Sequence, residues 1–220
     1  MAGFPGTELA GSPAPLPAGE FSAWLRAMRA ALAGGAGMQV ACGQCRGCCT
    51  SSYYIKVRST EVDALQHIPA ERLVDPPGAA PGTRLMGFDA QGHCVMYRDG
   101  NCTIYPHRPD TCRTYDCRIF TAAGMDAGPG RDVINERVAS WRFEFRDEAA
   151  RREQRAVQAA AAFLRQHPVR FPGGQVPSRA ADIAVLAVKA YSVFLDGQPR
   201  HEDAVAGIIE ACRTFDQQRS

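Results

Sequence analysis

Cys42-Gly43-Gln44-Cys45-Arg46-Gly47-Cys48-Cys49 is the stretch from which the rest of the chain is read. Two C-x-x-C steps follow one another and end in an adjacent pair. A two-residue spacer lets the backbone turn back so that two sulfurs converge on one centre, at the ~2.3 Å metal–sulfur distance of a zinc thiolate. Gly43 and Gly47 suit that turn and let backbone N–H groups approach sulfur. Cys48 and Cys49 add a constraint. Adjacent side chains point to opposite faces of an extended segment and diverge by about 100° in a helix. One small tetrahedral ion does not take both comfortably, so they serve different centres, grip a wider cluster, or leave one thiol spare.

Downstream lies a second group, Cys94, Cys102, Cys112 and Cys117. The stretch from Cys102 to Arg113 reads as a ligand loop, with Pro106 and Pro109 restricting the backbone before Cys112 arrives. Eight cysteines would fill two four-sulfur sites; the count permits this and does not prove it. The early group cannot place four convergent sulfurs on one ion, so the two groups are expected to meet. Cys45, Cys48, Cys49, Cys94, Cys102 and Cys112 rank first as ligands. Cys42 and Cys117 follow, as members of a second site or as non-ligands. The ninth cysteine, Cys212, shares a helical stripe with Val205, Ile208, Ile209 and Phe215, and reads as a small core hydrophobe.

Composition narrows the class. A chain of 220 residues buries a full-sized core, so metal is not needed merely to reach a stable size. The net charge is +2 and no run of like charges forms a basic footprint, which excludes nucleic acid as a favoured partner. No apolar run approaches the roughly 18 residues of a membrane helix. The N-terminus lacks a basic segment followed by an apolar one, so a cytoplasmic, reducing location is expected. There thiols stay free for metal instead of pairing as disulfides.

The expected organisation has three parts. Residues 1–19, rich in Pro, Gly and Ala, read as a disordered lead-in. Residues 20–130 form the cysteine-cluster metal-binding domain. Residues 131–220 form a helical region packed on it. Phe21, Trp24, Leu25, Met28 and Leu32 mark an amphipathic helix, and Tyr53 to Val57 a strand. Ser59 or Thr60 is expected to cap a short helix, and Asp75 to Gly82 to be a loop. Extended pieces at Arg84–Phe88, His93–Tyr97 and Cys102–Tyr105, separated by turn residues, predict a small antiparallel meander. Val138, Trp141, Phe145 and Ala149 form one helical stripe running on to Leu164. Pro172-Gly173-Gly174 is a linker, and helices follow over Ile183–Leu195 and around Ile208. The fold class is α+β.

The C-x-x-C-x-x-C-C block, together with Cys102-Thr103-Ile104-Tyr105-Pro106-His107-Arg108-Pro109-Asp110-Thr111-Cys112-Arg113, resembles the YkgJ-like cysteine-cluster family over about Val40 to Phe120. That family is described as zinc- or iron-chelating, or as iron–sulfur proteins. The resemblance implies that Arg108 and Arg113 donate hydrogen bonds to sulfur or backbone and offset the charge of the thiolates. Arg46, Arg98 and Arg118 read as ordinary surface arginines. His93 and His107 read as satisfied polar side chains beside ligand positions.

Three functions remain open at this point. The protein holds an iron–sulfur cluster in a redox or accessory role, with an unidentified protein or redox partner. It is a cluster-dependent oxidoreductase or modifying enzyme. Or it carries one or two closed, structural zinc ions and a partner-binding helical half. Adjacent cysteines and excess sulfur favour the cluster; the generic C-x-x-C pairing favours zinc.

Overall fold

The computed structural model describes residues 14–78, 81–172 and 176–217. Ala79 and Ala80 of the expected loop, Gly173 and Gly174 of the expected linker, and residues 1–13 of the lead-in lie outside the described residues.

The described chain opens with strand β1 (Leu16–Glu20) and helix α1 (Phe21–Leu32). Strand β2 (Ile55–Val57), helix α2 (Val62–His67), and strands β3 (Leu73–Val74), β4 (Arg84–Met86), β5 (Tyr97–Arg98) and β6 (Asn101–Cys102) follow. Helices α3 (Asp110–Thr114), α4 (Arg118–Ala123) and α5 (Asp132–Ser140) lead to strand β7 (Trp141–Glu144). Three helices finish the chain: α6 (Glu148–Gln166), α7 (Ala180–Ala190) and α8 (His201–Gln217). The fold is α+β, with small sheets in the N-terminal half and helices in the C-terminal half.

Residues 14–19 are not a disordered lead-in. Leu16–Glu20 pairs in parallel with Trp141–Glu144, and Glu20 accepts hydrogen bonds from Ser22 N at 3.0 Å and Ala23 N at 2.7 Å, capping α1. The same pairing corrects the stripe through Trp141. Helix α5 stops at Ser140, and Trp141 to Glu144 run extended against β1. Trp141 is buried while Arg142 and Glu144 are exposed, which is strand alternation inside what periodicity alone reads as helix. Asp147 then restarts the helix by accepting from Ala150 N at 2.9 Å.

The meander is divided between two sheets. Strand β4 lies between β2 and β3, antiparallel to both, while β5 and β6 form a separate hairpin. Cys94 is joined to the end of the β4 segment by a single bridge to Phe88. In the hairpin turn Asp99 and Gly100 have φ of +48° and +80°, the pair of left-handed residues that a two-residue loop with native twist needs. Neither Ser59 nor Thr60 caps α2. Helix α2 begins after Glu61, whose carboxylate instead accepts from Arg58 N and Asp110 N and so ties α2 to α3.

Two apolar clusters hold these pieces. The larger joins Phe21, Trp24 and Leu25 of α1, Ile119 and Phe120 of α4, and the inward faces of α5 to α8. The smaller collects Ile55, Val57, Ile68, Leu73, Met86, Met96 and Ile104. Cys94, Cys102 and Cys112 pack on the smaller cluster, and Cys117 on the larger. These four cysteines thus border one cluster or the other.

Candidate metal centre

The first cysteine block is a series of tight turns. Cys45 N donates to Cys42 O at 2.9 Å, with Gly43 at φ +54°, a conformation that Cβ-bearing residues rarely adopt. Gly47 to Cys49 make one turn of 3₁₀ helix. Gly47 is buried on α5, where an added Cβ would stand 3.0 Å from Ile134 Cγ1. Arg46 is no ordinary surface arginine: it donates to Gly43 O, Cys45 O and Gly100 O and to Asn101 Oδ1, clamping the first block onto the β5–β6 turn.

The two cysteine groups meet directly. Cys94 N donates to Cys49 O at 2.7 Å, and Ser52 N to Gly92 O at 2.8 Å. Cys48 is the shared neighbour. Its proximity raises the thiol pKa of Cys94, Cys102 and Cys112 on one side and of Cys42 on the other, in each case adding to the larger effect of burial. Cys48 itself is pushed up first by its contact with Cys49, whose sulfur lies 3.9 Å away, and then by burial. Burial pushes Cys117 up to about 12, against the hydrogen bond from Trp141 Nε1, which donates to its sulfur at 3.2 Å. Asp116, Cys42 and Cys45 push Cys117 further the same way. Cys48 thus acts electrostatically on Cys94, Cys102 and Cys112 as well as on Cys42, and Cys42 and Cys45 act on Cys117.

Arg108 and Arg113 do different work. Arg113 curls back on its own loop, donating from Nε to Arg108 O and from Nη2 to Pro106 O, both at 2.8 Å. Met38 N donates to Arg113 O at 2.8 Å, and Gly37 approaches so closely that a Cβ there would meet that oxygen at 2.6 Å. Arg108 lies over the Tyr105 ring, 3.7 Å from its centroid, and its charge holds down Cys48, Cys102 and Cys112.

Arg108 Nε is also one of four buried side-chain atoms without a hydrogen-bond partner among the described residues; the others are Arg137 Nε, Tyr53 Oη and Tyr115 Oη. All four belong to the surroundings of the thiols. Arg137 holds down Cys42 and donates from Nη2 to Ala41 O and Cys42 O. Burial pushes the Tyr115 hydroxyl up, with Tyr53, Cys117 and Cys48 adding to the rise. Tyr53 is 5.6 Å from Tyr115, ring to ring. Orphaned donors around buried thiols fit a group rich in acceptors and negative charge. The residues present therefore suit a thiolate-bound metal group.

Family comparison agrees. The CxxCxxCC family model, described as "Putative zinc- or iron-chelating domain", matches residues 41–136. That segment is similar to the CxxCxxCC family. No curated protein matches the chain, and no solved structure matches it.

The matched segment runs past Phe120 into α5, where Gly47 packs against Ile134. Arg137 and Trp141, just beyond the matched segment, still reach Cys42 O and the Cys117 sulfur. Neither stands in a motif, and Trp141 reads in sequence only as a core aromatic. Arg118 corrects another reading. Its guanidinium pairs with the fully buried Asp116 carboxylate at 2.7 Å and donates to Ala18 O and Gln39 O. Trp24 Nε1 donates to the same carboxylate at 2.9 Å. Cys212 sits on α8 against the larger core. Among the described residues, no helix is long and apolar enough to cross a membrane.

Proposed function

We propose that the CxxCxxCC domain holds an iron–sulfur cluster and serves a redox or accessory role, exchanging electrons with a protein partner. Sulfur spacing beyond the one close pair, Cys48 and Cys49 at 3.9 Å, supports this reading. Four thiolates at ~2.3 Å from one zinc ion stand about 3.8 Å apart in all six pairs. Among the described residues, only Asp63, His67 and His107 bring three donor atoms of this kind within 4.8 Å of one another, and no cysteine belongs to that group. An iron–sulfur core holds its thiolates at the corners of a larger body, which suits sulfurs gathered without converging on a point.

The unpartnered donors support the same choice. A cluster adds inorganic sulfides as acceptors, and Arg108 and Arg137 supply buried N–H groups for them. Cys48, Cys94, Cys102 and Cys112 would hold the cluster, and Cys42, Cys45 and Cys117 would serve a second group. When bound, the group supplies one-electron chemistry. The chain's own part is to keep the thiols buried, to compensate their charge through Arg108 and Arg137, and to shield the centre with α5.

Anaerobic purification followed by iron, zinc and acid-labile sulfide analysis tests the proposal. Iron and sulfide in matched stoichiometry, with a visible band bleached by reductant, is the expected result. Colourless protein carrying stoichiometric zinc and no labile sulfide would overturn it and leave the structural zinc reading.

A further inference from the structure

Outside the thiols, three donors from separate parts of the domain face one another. Asp63 and His67 are four residues apart on α2 and so share a helix face. His107 comes from the turn Tyr105–His107 inside the Cys102–Cys112 loop. Asp63 Oδ1 lies 3.7 Å from His67 Nδ1 and 3.0 Å from His107 Nδ1. The imidazole rings stack 3.5 Å apart and 4° from parallel, so one ring must turn before both in-plane lone pairs can reach a common ion.

We propose that Asp63, His67 and His107 form a second, sulfur-free site for a divalent first-row transition ion, zinc being the simplest probe. Nitrogen and oxygen ligands at about 2.0–2.1 Å from a tetrahedral ion stand about 3.3–3.4 Å apart, and the two measured spacings fall on either side of that value. Two imidazoles and a carboxylate suit zinc, copper, nickel or iron, and disfavour magnesium and calcium.

His67 Nδ1 now bonds Asp63 O at 2.8 Å and His107 Nδ1 bonds the Asp63 carboxylate. Binding exchanges those hydrogen bonds for the ion: each ligating Nδ1 gives its proton to solvent, and the neutral ring takes one up on Nε2. The three side chains are 36–60% exposed, so solvent reaches the site, and three protein donors leave a coordination position for water or a small anion. An ion here would also fasten α2 to the loop that carries Arg108 and Cys112.

The test is a cobalt(II) titration of the full chain with its cysteine centre already filled. One further equivalent should bind without the intense near-ultraviolet thiolate-to-cobalt absorption, showing weak visible bands only. His67→Asn and His107→Asn should each weaken this equivalent tenfold or more, and the double variant should abolish it. Iron and labile-sulfide content should be unchanged throughout. His93→Asn serves as the control and should bind normally, and magnesium should not compete. No further equivalent in the parent protein, thiolate absorption accompanying it, or its persistence in the double variant would overturn the site. Because the readout lacks the thiolate band, failure here is distinguishable from failure of the cluster reading.

Discussion

Asp116→Ala is expected to be the most damaging single substitution outside the cysteines. The Asp116 side chain is fully buried and meets Arg118 at 2.7 Å, while Arg118 is only 13% exposed. Through this pair, and through the Trp24 N–H, one carboxylate connects β1, α1, the segment leading to Cys42, and the start of α4. Removing it leaves a guanidinium largely desolvated and uncompensated, which costs about 3–5 kcal/mol. For a domain of this size, ~1 kcal/mol corresponds to roughly 2–4 °C in Tm, so the expected fall is about 6–20 °C. Differential scanning fluorimetry at neutral pH measures it, with Trp24→Phe in parallel. That variant loses only a hydrogen bond to a charged acceptor and should cost about 1.5–3 kcal/mol. A fall of less than about 3 °C for Asp116→Ala, or one no larger than for Trp24→Phe, would refute the claim that the pair holds these segments together.

Further expectations concern the thiols and their supports. In metal-free protein, burial raises Cys42, Cys94, Cys102, Cys112 and Cys117 above the ordinary value of 9.0, so the folded state keeps protons that the unfolded state gives up. Their contribution is complete below that value and lost as pH rises through the raised pKa values, so urea midpoints should fall above about pH 9. Flat midpoints up to pH 11 would count against buried thiols. Arg108→Gln removes a charge that holds down Cys102 and Cys112, and since ligands must deprotonate, the pH of half-maximal metal uptake should move upward; no movement would show that Arg108 does not act on the sulfurs. Gly37→Ala places a Cβ 2.6 Å from Arg113 O and should cost about 1–3 kcal/mol in thermal unfolding, whereas Gly43→Ala meets no atom within 4 Å and pays only for its positive φ. Equal losses for the two would contradict the close approach.

Local signals in the chain reach some distance into this structure. Helix α1 follows from the spacing of Phe21, Trp24, Leu25 and Met28, and the β5–β6 turn from Asp99-Gly100, because each depends on a few adjacent residues. The parallel pairing of β1 with β7 does not show, since its two strands are more than a hundred residues apart and Trp141 falls in phase with the α5 stripe. Tertiary pairing decides there. At the centre, the cysteine spacings mark the thiols, but not the direct contact of the two groups through Cys94 N and Cys49 O, which tertiary packing decides. Arg137 and Trp141 are invisible in sequence because they reach the thiols from an element with no motif. Asp63, His67 and His107 escape for a similar reason: only the packing of α2 on the Tyr105–His107 turn makes them neighbours.

The chain has two tryptophans, and the structure spends both indole N–H groups on consecutive residues, Trp24 on Asp116 and Trp141 on Cys117. Its ultraviolet emission is consequently a built-in gauge of the centre. Trp141 touches a sulfur whose electron density changes when a proton leaves or a metal arrives, while Trp24 answers to a carboxylate one residue away. Trp24→Phe and Trp141→Phe would separate the two signals, so that filling of the centre and integrity of its scaffold can be followed in one cuvette without any added dye.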